Sequence, residues 1–321
     1  MSTSQTDTPL PNSVASPDLL WENAAVVLKG IGQVFFQENA LSGLLFVIGI
    51  AFGAPLEAVG GVVGSLIGLA TARTLKFDEG ETRAGIYGFN SALVGMATFF
   101  YFRPGLVSLL LLLVGCVVAT LLTRWMRHSL PFPTYTTPFI VTTWGIYFLG
   151  RSLGAVHVDP GAPLRDVGVL SVIAHGIGQV MFQGTLWGGA FFLLGIAISN
   201  RTHAVWVLLG SVVGMLVSAY HATAGSDALH IERLLEHAHS DNIALGLYGY
   251  NATLTAVALY LWRKSVIPPL LGMILSVPVT ELIPTLGLPA LTAPFVLTTW
   301  LVMLLGWTEA SLLKKSAASP S

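Results

Sequence analysis

From Trp21 to Leu313 the chain is written in apolar runs cut by short polar, glycine or proline breaks. In the first half the runs fall near 22–37, 41–54, 57–75, 84–102, 105–123 and 134–150. In the second they fall near 168–183, 186–199, 203–220, 243–262, 266–283 and 290–313. Apolar runs repeated along a whole chain predict membrane helices, because a helix satisfies its own backbone in lipid. Several runs are shorter than the ~20 residues a span needs. Those at 22–37 and 168–183 contain glycines and end in QEN and QGT, and the pieces TTPFIVTTW and TAPFVLTTW carry an early proline. Short, interrupted segments at matching places in two halves predict half-helices meeting at a midplane site. If one segment per half crosses only partway, five spans remain in each half. An odd number inverts the second half relative to the first. The expected fold is all-α: a polytopic membrane protein with about ten transmembrane helices, two pore half-helices and an inverted internal repeat.

The repeat is explicit. Residues 30–53 and 176–199, offset by 146, share 12 of 24 positions. GIYGFNSAL at Gly85 returns as GLYGYNATL at Gly246, and TTPFIVTTW at Thr136 as TAPFVLTTW at Thr292, with offsets of 161 and 156. Shared membrane composition explains matched leucines but not matched Gln, Asn, Tyr and Pro in one order, so the pattern is an internal duplication. It divides the chain into a polar tail (1–20, expected to be disordered), a first repeat (21–151), a linker (152–167), a second repeat (168–313) and a C-terminal tail (314–321). The first tail lacks the basic and apolar regions of a signal peptide.

Composition agrees. Of 321 residues, 54% are hydrophobic and 10% charged, against about 25% charged in soluble domains. A net charge of −1 gives no nucleic-acid footprint. The single cysteine, Cys116, excludes an internal disulfide. Arginines and lysines are scattered over many loops, so the charge rule gives no orientation.

Polar side chains in hydrocarbon are costly unless satisfied or wet. The duplicated ones are uncharged: Gln33 and Gln179, Asn90 and Asn251, Thr136 and Thr292. Acids are few in the apolar runs; Glu57 and Glu281 lie near segment ends. An ion-coupled carrier or an intramembrane enzyme would want a buried acid, histidine or metal constellation, and His128, His157 and His175 lie near segment ends. No cofactor is implied. The residues suit a small neutral polar solute. A flat amide needs hydrogen-bond acceptors, supplied by Gln, Thr and backbone carbonyls. It also needs apolar walls, supplied by Phe36, Phe182, Phe89 and Tyr250. A lone Gln or Thr in a membrane helix most often ties helices together; duplication on short segments favours a site. Asn90 and Asn251, in Y-G-[FY]-N, read as structural amides holding a helix break. His221, His230, His237 and His239 lie in a second-half insertion that reads as a solvated loop rather than a metal site.

The string Leu288-Pro289-Ala290-Leu291-Thr292-Ala293-Pro294-Phe295 fits the LPxxTxPF signature of urea transporters, and Phe132 to Phe139 fits it with phenylalanine for leucine. GQVFF and LYGYN also resemble that family, over about residues 22–310. The resemblance implies a urea channel in the plasma (inner) membrane, a homotrimer with one pore per protomer, and two aromatic slots around a narrow centre. Gln33 and Gln179 would then end the pore half-helices and accept urea N–H bonds. Val34, Phe36, Phe89 and Leu93 match one slot; Val180, Phe182, Tyr250 and Leu254 match the other. Thr136 and Thr292 match the constriction, and Tyr250 opposite Phe89 makes the slots chemically unequal. The alternative is a channel or carrier for another small neutral solute, such as ammonia, water or a short amide.

Overall fold

The computed structural model describes residues 17–159, 167–223 and 241–318. The tail before Pro17, the middle of the linker, the last three residues and the insertion histidines His230, His237 and His239 lie outside the described residues.

The two GIGQ phrases are where the chain breaks. Helix α1 (Pro17–Gly32) passes into a 3₁₀ turn at Gln33–Phe35, and α2 (Ala40–Gly53) leaves at 77°. Helix α8 (Val169–Gly178), the turn Gln179–Met181 and α9 (Leu186–Ser199) repeat this at 72°. The cause is local. Phe36 N–H donates to Gln33 O at 2.9 Å and Gln37 N–H to Gly32 O at 3.0 Å, closing a Schellman-type reversal. Gln183 N–H donates to Gly178 O at 3.0 Å in the copy. A Cβ on Gly32 would sit 2.5 Å from Gln37 O, and one on Gly178 2.2 Å from Gln183 O, so only glycine fits there. Phe36 and Phe182 take left-handed backbone at φ 60° and 61°, a region costing about 1–2 kcal/mol outside glycine. Asn39 and Thr185 restart the helices: their side chains accept from Ser42 N–H at 3.1 Å and Gly188 N–H at 3.0 Å.

After the first break come α3 (Pro55–Thr74), α4 (Glu79–Arg83), α5 (Phe89–Tyr101), α6 (Leu106–Ser129) and α7 (Thr137–Ser152). After the second come α10 (Arg201–Thr223), α11 (Asp241–Ala244), α12 (Gly249–Trp262), α13 (Ile267–Thr285) and α14 (Ala293–Ala318). The architecture is all-α; among the described residues the sole extended pairing is an isolated bridge between Phe102 and His157.

By length and apolarity α3, α6, α10, α13 and α14 can each cross a membrane, and the two bent pairs raise the candidate crossings from 5 to 7. Helices α5, α7 and α12, at 13, 16 and 14 residues, are shorter than a full span. Helices α5 and α12 are buried along almost their whole length, their polar residues such as Asn90, Thr98, Asn251 and Thr255 included. The outer helices instead expose rows of large apolar side chains, such as Leu109, Leu110, Leu113 and Val114 on α6. Such a row is stable against acyl chains and would be costly in water.

A candidate solute path at the junction of the halves

The two signature strings end at one point. Tyr135 and Leu291 have positive φ, 47° and 45°. Each turns the following threonine inward just before α7 and α14. Thr136 Oγ1 and Thr292 Oγ1 lie 2.7 Å apart, both nearly fully buried. Asn90 holds the first turn from both sides: its Nδ2 donates to Thr123 Oγ1 at 2.9 Å and Tyr135 O at 3.4 Å, and its Oδ1 accepts from Phe139 N–H at 3.2 Å. Asn251 repeats the set on Thr280 Oγ1 (3.3 Å), Leu291 O (3.4 Å) and Phe295 N–H (3.1 Å). The structural role read for these amides is what the geometry gives. The halves also clasp each other. Trp144 Nε1 donates to Pro289 O and Trp300 Nε1 to Pro133 O, both at 2.8 Å. Contacts in which each half gives the other what it receives are those of a two-fold relation.

The eight slot residues named from the sequence fall in one continuous apolar cluster. Val34, Leu93, Val180, Leu254 and Tyr250 are buried, with Phe36, Phe89 and Phe182 packed partly exposed against them. The signature phenylalanines cross over. Phe295 of the second half meets Phe36 edge-on at 6.3 Å between ring centres, and Phe139 of the first half meets Phe182 at the same distance. Each aromatic pair therefore draws on both halves. Tyr135 beside Phe36 (6.1 Å) and Phe100 against Phe182 (4.7 Å) complete the rings. Sequence reasoning missed Phe100 and Tyr135. It also gave no site role to Phe139 and Phe295, although both stand inside the quoted signature.

A cavity of about 390 Å³ opens on the second half. Its lining includes Gln179, Val180, Phe182, Tyr250 and Thr292, five of the named residues; Leu254 is not on its wall. Gln33 Nε2 donates to Ala84 O at 2.9 Å. A carbonyl only accepts, so the amide is oriented and its oxygen is left as an acceptor. Tyr250 differs from Phe89 as expected, but its hydroxyl donates to Leu291 O at 2.6 Å and so is directed at the protein.

The charged groups are unevenly placed. Glu57, expected at a segment end, is 9% exposed and accepts from Gln183 Nε2 at 2.9 Å. His175 is also buried, with Nδ1 2.8 Å from Ala244 O. Its helix runs into the core rather than ending at the surface, so its position along the apolar run misled. Glu281 lines the cavity and pairs with His221 at 3.3 Å. In the first half Arg127 bonds Glu81 at 2.6 Å, and Tyr87 O–H donates to the same carboxylate. Partial burial raises the Glu81 carboxyl, but these bonds outweigh it and hold it below its ordinary value of 4.5. No cluster that could hold a metal occurs among the described residues.

A helical membrane protein with two broken helices around a buried polar junction has the build of a membrane transporter. The urea transporter family profile matches residues 24–306. The chain is similar to Urea transporter 1 of Capra hircus and of Ovis aries, each 26% identical over 306 residues, covering 87% of this chain and 76% of the relative. Urea transporter 1 of Rattus norvegicus matches over the same shares at 26% identity. The chain belongs to the urea transporter family. It is a multi-pass membrane protein that carries urea, and a transporter rather than an enzyme.

Proposed function

We propose that the chain is a passive, channel-like path for urea through each protomer, selecting by shape and by neutral acceptors. The observation that carries this is the Thr136–Thr292 contact, which joins the repeated signature of one half to that of the other through two neutral hydroxyls. In this reading urea lies flat against Phe36 and Phe89 in one slot and against Phe182 and Tyr250 in the other. Val34 and Leu93, with Val180 and Leu254, close the slots. Gln33 and Gln179 accept urea N–H bonds at the ends of the broken helices. The two halves, 21–151 and 168–313, run inverted through the bilayer. The assembly is a homotrimer in the plasma (inner) membrane, its contacts supplied by the exposed apolar rows.

Stopped-flow light scattering of proteoliposomes under a urea gradient tests the mechanism. Flux is expected to leave a proton gradient intact and to be independent of sodium. Accumulation of urea against its gradient, driven by either ion, would overturn the passive reading.

A further inference from the structure

Each slot phenylalanine is followed by a buried glutamine, Gln37 after Phe36 and Gln183 after Phe182. Both amides fold back over the strained residue. Gln37 Nε2 donates to Phe35 O at 2.6 Å, and Gln183 Nε2 to Met181 O at 3.3 Å. The second amide hydrogen leaves its own half. Gln37 Nε2 lies 3.0 Å from His203 Nδ1, and Gln183 Nε2 lies 2.9 Å from Glu57 Oε2. Glu57 and His203 are the third residues of α3 and α10, 146 positions apart, as are the two glutamines. The side chains have unlike chemistry, yet both present an acceptor to an amide N–H. Nδ1 can accept only in a neutral ring protonated at Nε2.

A non-glycine residue in left-handed backbone persists only where its surroundings over-determine it. Here the surroundings are identifiable. The glutamine closes a ring across the left-handed residue, and the opposite half pins the glutamine. We propose that Glu57 and His203 are positioning residues for solute selection: Glu57, through Gln183, fixes the Phe182 ring, and His203, through Gln37, fixes the Phe36 ring. This rests on the reading of Phe36 and Phe182 as slot walls. Selectivity in each slot then depends on a residue of the other half that never touches the solute.

The test is the ratio of urea to N-methylurea flux in proteoliposomes. Glu57→Leu removes the acceptor and should lower the ratio severalfold; Glu57→Gln keeps an oxygen in place and should retain the wild-type ratio. His203→Leu and His203→Asn repeat the comparison at the other slot, because the Asn Oδ1 stands where Nδ1 stood. A folded Glu57→Leu or His203→Leu protein with the wild-type ratio overturns the proposal, as does loss of the ratio in Glu57→Gln. If neither leucine variant folds, the clasp is purely structural and the proposal falls. Phe36→Ala and Phe182→Ala separate the two levels. A changed ratio in these alongside an unchanged one in the leucine variants rejects the clasp and keeps the slots. An unchanged ratio in the alanine variants rejects the slots themselves, and the proposal with them.

Discussion

Replacing Thr136 and Thr292 by valine, singly and together, separates what their hydroxyls do for the fold from what they do for the solute. The oxygens are 2.7 Å apart and 3% exposed. A single valine leaves the other hydroxyl buried without this partner, which costs about 1–3 kcal/mol. The double variant removes both hydroxyls at nearly constant volume, a change that is close to neutral for stability. Flux should behave differently. On the proposed path each hydroxyl lost removes one acceptor from a dehydrated point. A barrier raised by about 1.4 kcal/mol slows transport roughly tenfold. Thermal unfolding in detergent should therefore show two destabilised singles and a recovered double. Stopped-flow scattering should show two slowed singles and a double that is slower still. Wild-type flux in all three folded variants would refute the site. A double variant faster than wild type would refute the acceptor role, because the hydroxyl pair would then be a closed gate.

Tyr250→Phe frees Leu291 O from its 2.6 Å bond and makes the second slot resemble the first. Urea flux through the variant should rise or hold while the fold loses roughly 1 kcal/mol, read by stopped-flow and by melting. Asn251→Leu leaves Phe295 N–H without its 3.1 Å acceptor and frees the turn carrying Thr292. A loss of about 2–4 kcal/mol in stability is expected, with Asn90→Leu close to it, and a loss well below 1 kcal/mol would refute the capping role. The Glu81 carboxyl is held low by Arg127 and Tyr87, so its contribution is present above about pH 4.5 and fades as pH falls through the lower folded-state value. Melts across that range should lose an acid-dependent step in Glu81→Gln, and an unchanged acid profile would reject the network.

The all-α membrane class was legible because hydrophobicity sums along a chain: 54% apolar residues in long runs have nowhere to go but lipid and core. The repeated phrases were legible because duplication preserves unusual residues. The glycines of GIGQ were readable as helix breaks, since turns are set by residues adjacent in sequence; the amides of YGFN and YGYN were readable as structural, but the turns they hold lie 40 or more positions away. Which residues meet was not readable. Phe36 lies by Phe295 and Phe182 by Phe139, partners separated by 259 and 43 positions. Glu57, placed by its run at a segment end, is buried because α3 starts against the opposite half's glutamine. The hydrophobic effect is non-directional and sets only what is hidden. Hydrogen bonds and ring contacts are directional and short, so they form only after two distant segments have been brought together. The sequence by itself determined two similar halves with a neutral polar phrase in each. The tertiary structure decided that Phe36 and Phe182 each meet a ring of the other half, and that the glutamine closing each turn is bonded by the other half.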